Sequence, residues 1–245
     1  MAAAVASFRY STGEVASSEA AKAFAWEQAV PVHPFWDSFD YPTARSFLSN
    51  ISDSELAELP INSASAADHR TKLQLLLTLL REKLSRDEAA ASPQSLHDAD
   101  YKQWYNRVQG LYVLENELDL PEAEQTIQTL VAGAEKSDVR PQHLLGEYLV
   151  KTGKYAEAEG AARPVAVWML AQPHLGKYSP QYLSAQRLLV RALWGQGASK
   201  RTEAEALLAG IQETVEGLSK DGGKFGVYQG EEQKLNEELL AQLEK

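Results

Sequence analysis

The 245 residues include no cysteine. Disulfides and cysteine-ligated zinc are therefore excluded, and the chain suits a reducing compartment. The expected location is the cytoplasm, with the nucleus left open. Positive charge is scarce as well: 24 Lys and Arg against 34 Asp and Glu leave a formal charge of −10. So acidic a chain is a poor match for a phosphate backbone, so nucleic acid is not an expected partner. No run of 18 apolar residues occurs, and no membrane partner is expected. The opening Met1-Ala2-Ala3-Ala4-Val5-Ala6-Ser7 has neither a basic segment nor a sustained apolar run, and does not read as a secretory signal. Ala2 stands where a myristoyl acceptor needs glycine. Catalytic signatures are missing too. HExxH, GxSxG, GxxxxGK[ST] and GxGxxG are all absent, and the glycine-rich stretch 222–230 reads as a linker. No cofactor and no metal are expected.

What remains is ordinary globular composition, 44% hydrophobic and 24% charged. Residues 1–16 are small and polar and read as loosely ordered. A short helix is expected over Ser17–Ala29, carrying Phe24 and Trp26. The segment Val30–Pro42 holds three prolines and dense aromatics, including His33-Pro34-Phe35-Trp36-Asp37. Proline forbids a continuous helix there, so the segment should lie pinned against a surface. Pro42 should open a helix through Leu48. Ser52-x-x-Glu55 is a capping box for a short helix that stops before Pro60.

Between Ala64 and Arg86, Leu73, Leu76, Leu77, Leu80 and Leu84 repeat at helical spacing, with Leu75 and Leu79 as a second stripe. Residues 87–93 read as a connector. A long helix is expected over Pro93–Leu118, its apolar face marked by Tyr101, Trp104, Tyr105, Val108, Leu111 and Tyr112. His97-Asp98-Ala99-Asp100 reads as a helix start. Pro121 and Pro141 stand at the starts of the next two helices, and Gly153 ends the second. Pro164 should kink or split the helix over Tyr155–Gln172. Ser179 and Pro180 open a helix to Trp194, its partner runs over 200–218, and a last helix covers about 230–244. In that helix Leu235, Leu239, Leu240 and Leu243 should face inward. Glu231, Glu232, Glu237, Glu238 and Glu244 should form a polar outer face.

The triplet Glu-Ala-Glu starts at 122, 157 and 203, that is 35 and 46 residues apart. Self-similarity at roughly this period marks stacked helical hairpins. Registering on Ala123, Ala158 and Ala204 aligns Leu114, Leu149 and Leu193, with two extra residues in the last turn. Leu145-Gly146, Gly153-Lys154-Tyr155 and Ala158 give this part a pattern that resembles the tetratricopeptide (TPR) repeat family. From Leu175 the chain is similar to the longer subtype of kinesin light chains (about 42 residues): Leu175-Gly176, Ser179-Pro180, Leu189 and Gln196-Gly197 carry the likeness. Ser179 departs from that subtype's histidine, and Arg187 and Leu188 from its asparagines. The resemblance covers residues 94–218.

It implies an all-α fold, a right-handed superhelix of antiparallel helix pairs with an N-terminal helical cap. The expected division is a cap region over 1–93, then repeats and a C-terminal capping helix over 94–245. It also implies a protein–protein interaction module or scaffold. In such a module the first helices of each pair line a concave groove: Tyr105, Val108 and Tyr112; Arg140, His143, Glu147 and Lys151; Ser184, Arg187, Arg191 and Trp194. This set is aromatic and partly basic, so the expected partner is an acidic peptide or protein held by arginine forks. In the competing reading the arginines pair with neighbouring glutamates and the tyrosines are core. Two other functions stay open. One is an enzyme or small-ligand protein using His143, Glu147 and an arginine, its pocket closed by residues 33–47. The other is a structural subunit of an assembly.

Overall fold

A computed structural model describes residues 30–219 and 223–244. The helix expected over 17–29 lies outside them. The described residues form α-helices joined by turns and short 3-10 segments, with no strand. Contacts divide the chain after Glu135 into two compact units. Residue 93, where a boundary was expected, falls inside the first unit, because the helices on either side of it pack together.

In the first unit, α1 (Tyr41–Leu48), α2 (Asp53–Glu58) and α3 (Ile61–Ala64) precede the long α4 (His69–Ala91). Then come α5 (Leu96–Ala99), α6 (Tyr101–Glu117) and α7 (Glu122–Gly133). Local chemistry starts several of them. Asp40 accepts the Thr43 amide at 2.9 Å, with Pro42 inside the first turn of α1. The Ser52 hydroxyl takes the Glu55 amide while the Glu55 carboxylate takes the Ser52 amide, a complete capping box. Three boundaries differ from the sequence pattern. The helix expected from Ala64 begins at His69, because Asp68 accepts both the amide and the hydroxyl of Thr71. It then runs through the alanines to Ala91, since alanine favours helix more than any other residue. The helix expected over 93–118 is broken at Asp100. Ser95 caps α5 and Asp100 caps α6, so two N-caps within six residues outcompete one continuous helix.

The core of this unit gathers Phe35, Trp36, Phe47, Leu73, Leu76, Leu77, Leu80, Leu111 and Leu114. The aromatic proline-rich segment is thus core, with Phe35 and Trp36 edge to face at 5.0 Å between ring centroids. Beneath α6 lies a polar knot. The buried Arg107 donates to Asp87 at 2.7 Å and to both the carbonyl and side chain of Asn50. Nothing in the spacing of Arg107 distinguishes it from a surface cation.

The second unit contains α8 (Arg140–Lys151), α9 (Tyr155–Ala171), α10 (Pro180–Gly195), α11 (Ala198–Gly217) and α12 (Gln229–Leu243). α8 packs on α9, α10 on both α9 and α11, and α12 on α11 and α10. The turns after α8 and α10 pass through Gly153 and Gly197 at φ 77° and 78°, where a side chain would be strained. Ala158 on α9 and Ala204 on α11 are buried, as is Ala123 on α7 in the first unit. Leu114, Leu149 and Leu193 are buried as well. Pro164 does not split its helix: α9 is continuous over 17 residues. Pro164 and Gly160 are both exposed, so water can take the carbonyl that lacks an amide partner.

Candidate functional site

Three helices of the second unit carry polar side chains inward: α8, α10 and α12. They form a ladder of charge across the row. Arg191 on α10 donates to both carboxylate oxygens of Glu147 on α8, each at 2.6 Å. One turn earlier on α10, Arg187 reaches the other way. Its Nε donates to Asn236 Oδ1 at 2.7 Å, and its Nη2 lies 3.0 Å from the Glu232 carbonyl and 2.7 Å from the Glu232 carboxylate. Four members are nearly closed to solvent: His143 at 3%, Glu147 at 4%, Arg187 at 5% and Glu232 at 1% exposure. Buried charges persist only when paired in this way.

Burial pushes the Glu232 carboxyl above its ordinary range, and the neighbouring Arg187 opposes that shift. His143 is held below the usual imidazole range, first by burial and against the pull of Glu147. It is therefore neutral near pH 7. Its Nε2 faces both Ser184 Oγ at 3.5 Å and Glu147 Oε1 at 3.8 Å. A nucleophile–base–carboxylate relay needs the two partners on opposite ring nitrogens. Here both share one, and the group is shielded from any substrate.

The expected groove residues therefore fall into three sets. Tyr105, Val108 and Tyr112 are buried in the first unit's core, 1%, 6% and 2% exposed, so in this conformation they line no groove. His143 and Glu147 are internal. With Ser184, Arg187 and Arg191 they belong to the ladder. Arg140 and Lys151 are exposed at the two ends of α8, with Arg140 held by Asp138 at 2.6 Å. Trp194 is half-buried. Its Nε1 donates to the Leu243 carbonyl at 3.0 Å, and the Arg201 guanidinium stacks 3.5 Å from its ring centroid.

Sequence reasoning missed Glu232 and Asn236. Glu232 was assigned to the outer face of the last helix, yet it points inward to Arg187. The missed signal was the spacing Glu232, Asn236, Leu239, which puts three residues on one helical face. The His97-Asp98 segment is a helix start as expected. His97 Nε2 donates to the Gly133 carbonyl at 2.9 Å and Nδ1 faces Asp98 at 3.1 Å, and the first of these contacts does most to raise the imidazole's pKa. A surface depression of about 520 Å³ lies beside it, lined by Trp104, Gln125, Gln128 and Thr129. A second, of about 260 Å³, is lined by Tyr178, Leu218, Lys224 and Phe225.

Among the described residues no cluster of His, Asp and Glu could hold a metal ion. No described helix is long and apolar enough to cross a membrane. No protein-family model, curated protein or solved structure matches this chain.

Proposed function

We propose that the chain is a TPR-like protein–protein interaction module. In this reading α8 and α10 carry the recognition face, and the partner is an acidic peptide or protein. One observation carries the proposal. The cations on α10 are satisfied by carboxylates and an amide from the helices on either side, and on the α12 side the occupant is itself an acidic helix. The chemistry that this face already accepts inside the chain is the chemistry that it would accept from a partner. The enzyme reading draws no support from His143, which is buried and turns one nitrogen, Nε2, to both Ser184 and Glu147.

The proposal is tested by placing a photo-crosslinking amino acid at position 151, exposed at the end of α8, and mapping the captured peptides by mass spectrometry. The expected result is cross-linked segments rich in Asp and Glu, lost when free acidic peptide is added. Captured segments that are basic or neutral, or no capture in native cells, would refute it.

A further inference from the structure

We infer that the face of α10 beneath α12 is an acceptor site for an acidic amphipathic helix of pattern Glu-x-x-x-Asn-x-x-Leu. α12 is this chain's own occupant of it. The inference rests on the interaction-module reading above and specifies the partner's chemistry. α12 buries only three side chains fully: Glu232, Asn236 and Leu239. They fall at i, i+4 and i+7, the spacing by which a helix lays one face into a groove. Two of the three are polar, and both are read by a single guanidinium. Arg187 bonds Asn236 at 2.7 Å and meets the Glu232 carboxylate at 2.7 Å and its carbonyl at 3.0 Å. The far end of the helix is held by Trp194 Nε1 on the Leu243 carbonyl.

Such a contact is specific in geometry but modest in net energy. Removing a carboxylate and a guanidinium from water offsets most of their attraction. The raised pKa of the Glu232 carboxyl shows that cost. Apolar burial is partial: Leu239 is buried, while Leu235, Leu240 and Leu243 are only half-buried. A helix held in this way belongs to the part of a fold that opens at low cost. Just before α12, Phe225 and Tyr228 are buried, so residues 223–228 can stay anchored while the residues beyond them lift. A partner helix carrying the same three side chains would meet the same Arg187 fork and replace α12 without new chemistry on α10.

The test uses the full chain and a fluorescein-labelled peptide of residues 226–244. Glu232→Lys sets a like charge against Arg187 and leaves α10 untouched. Expected outcomes are faster amide hydrogen exchange over 229–243 with α8–α11 protection kept, and peptide binding at least tenfold tighter than in the wild-type chain by anisotropy. Asn236→Ala, a milder change, should fall between. A peptide carrying the same lysine should fail to bind, and Arg187→Glu in the loosened chain should restore the protection of α12 itself, since the charge pair is rebuilt with its sign reversed. If α12 is released but the peptide binds no more tightly, the inference is wrong. Unchanged α12 protection in both variants overturns it as well, since the helix is then not held by the Arg187 contact. Light scattering covers the other occupant: a wild-type dimer that the peptide converts to monomer assigns the face to a second copy's α12 and rules out a foreign partner. The two readings fail separately. Peptide failure with acidic segments still captured at position 151 leaves the module and removes only this site. Peptide binding without such capture does the reverse.

Discussion

Gly133 ends α7 with the indole of Trp104 against it. A Cβ built there would stand 2.3 Å from Trp104 Cη2, inside any van der Waals contact. Trp104 is large, largely buried and packed on His97 with ring centroids 4.6 Å apart, so it has little room to give. Gly133→Ala should destabilise the protein by about 1–3 kcal/mol, the usual effect of overpacking. Gly210 on α11 makes the contrast, since nothing lies within 4 Å of its Cβ position. Gly210→Ala should stabilise by about 0.5–1 kcal/mol through helix propensity. Urea midpoints read both, and equal signs would show that local space does not decide the outcome. Neither effect is visible in the sequence, where each is one glycine near the end or middle of a helical run. What was legible at this scale is the local chemistry of starts: Ser52 and Ser179 cap the helices that follow them, whereas the Asp40 cap of α1 emerged only in the structure.

At the scale of elements, α9 shows where propensity loses to tertiary context. Proline in a helix interior removes one hydrogen bond and costs about 3 kcal/mol. The 17-residue α9 nevertheless stays helical through Pro164, because Ala158, Ala161, Ala162, Val165 and Met169 are packed on its inner face. Apolar burial along the whole element outweighs a defect on its wet side. Pro164→Ala should therefore raise stability, on the order of 1–2 kcal/mol after allowing for the freer unfolded chain. A fall in the thermal midpoint would show instead that the ring itself is needed at this surface. The last helix teaches the opposite lesson. Its leucine spacing was plain, and Leu239 is buried. Its polar residues could not be divided into inner and outer from sequence alone, because a glutamate turns inward only where a specific cation awaits it.

For the molecule as a whole, both units carry a carboxylate held well below its ordinary range. Lys83 and then Ser52 bring Glu55 to about 2. Burial of Glu159 opposes ionisation, yet Gln196, Arg163 and Lys200 outweigh it and hold that carboxyl at about 2 as well. Both folded values lie below the ordinary 4.5, so each contributes stability above that value and loses it as pH falls towards about 2. Glu55→Gln and Glu159→Gln should each flatten the acid limb of the stability profile, measured by urea unfolding at a series of pH values. An unchanged slope in either variant would show that the pair does not survive in solution. Helical content, the helix starts at Ser52 and Ser179 and the inward Ala123, Ala158, Ala204, Leu114, Leu149 and Leu193 followed from the sequence, because periodicity, caps and glycine turns act over a few residues. The division after Glu135, the burial of Phe35 and Trp36 and the inward turn of Glu232 did not. Each depends on residues tens of positions apart meeting in space: Phe35 with Lys72, or Arg187 with Glu232. Such pairings are set by the packing of whole helices and leave no periodic trace along the chain.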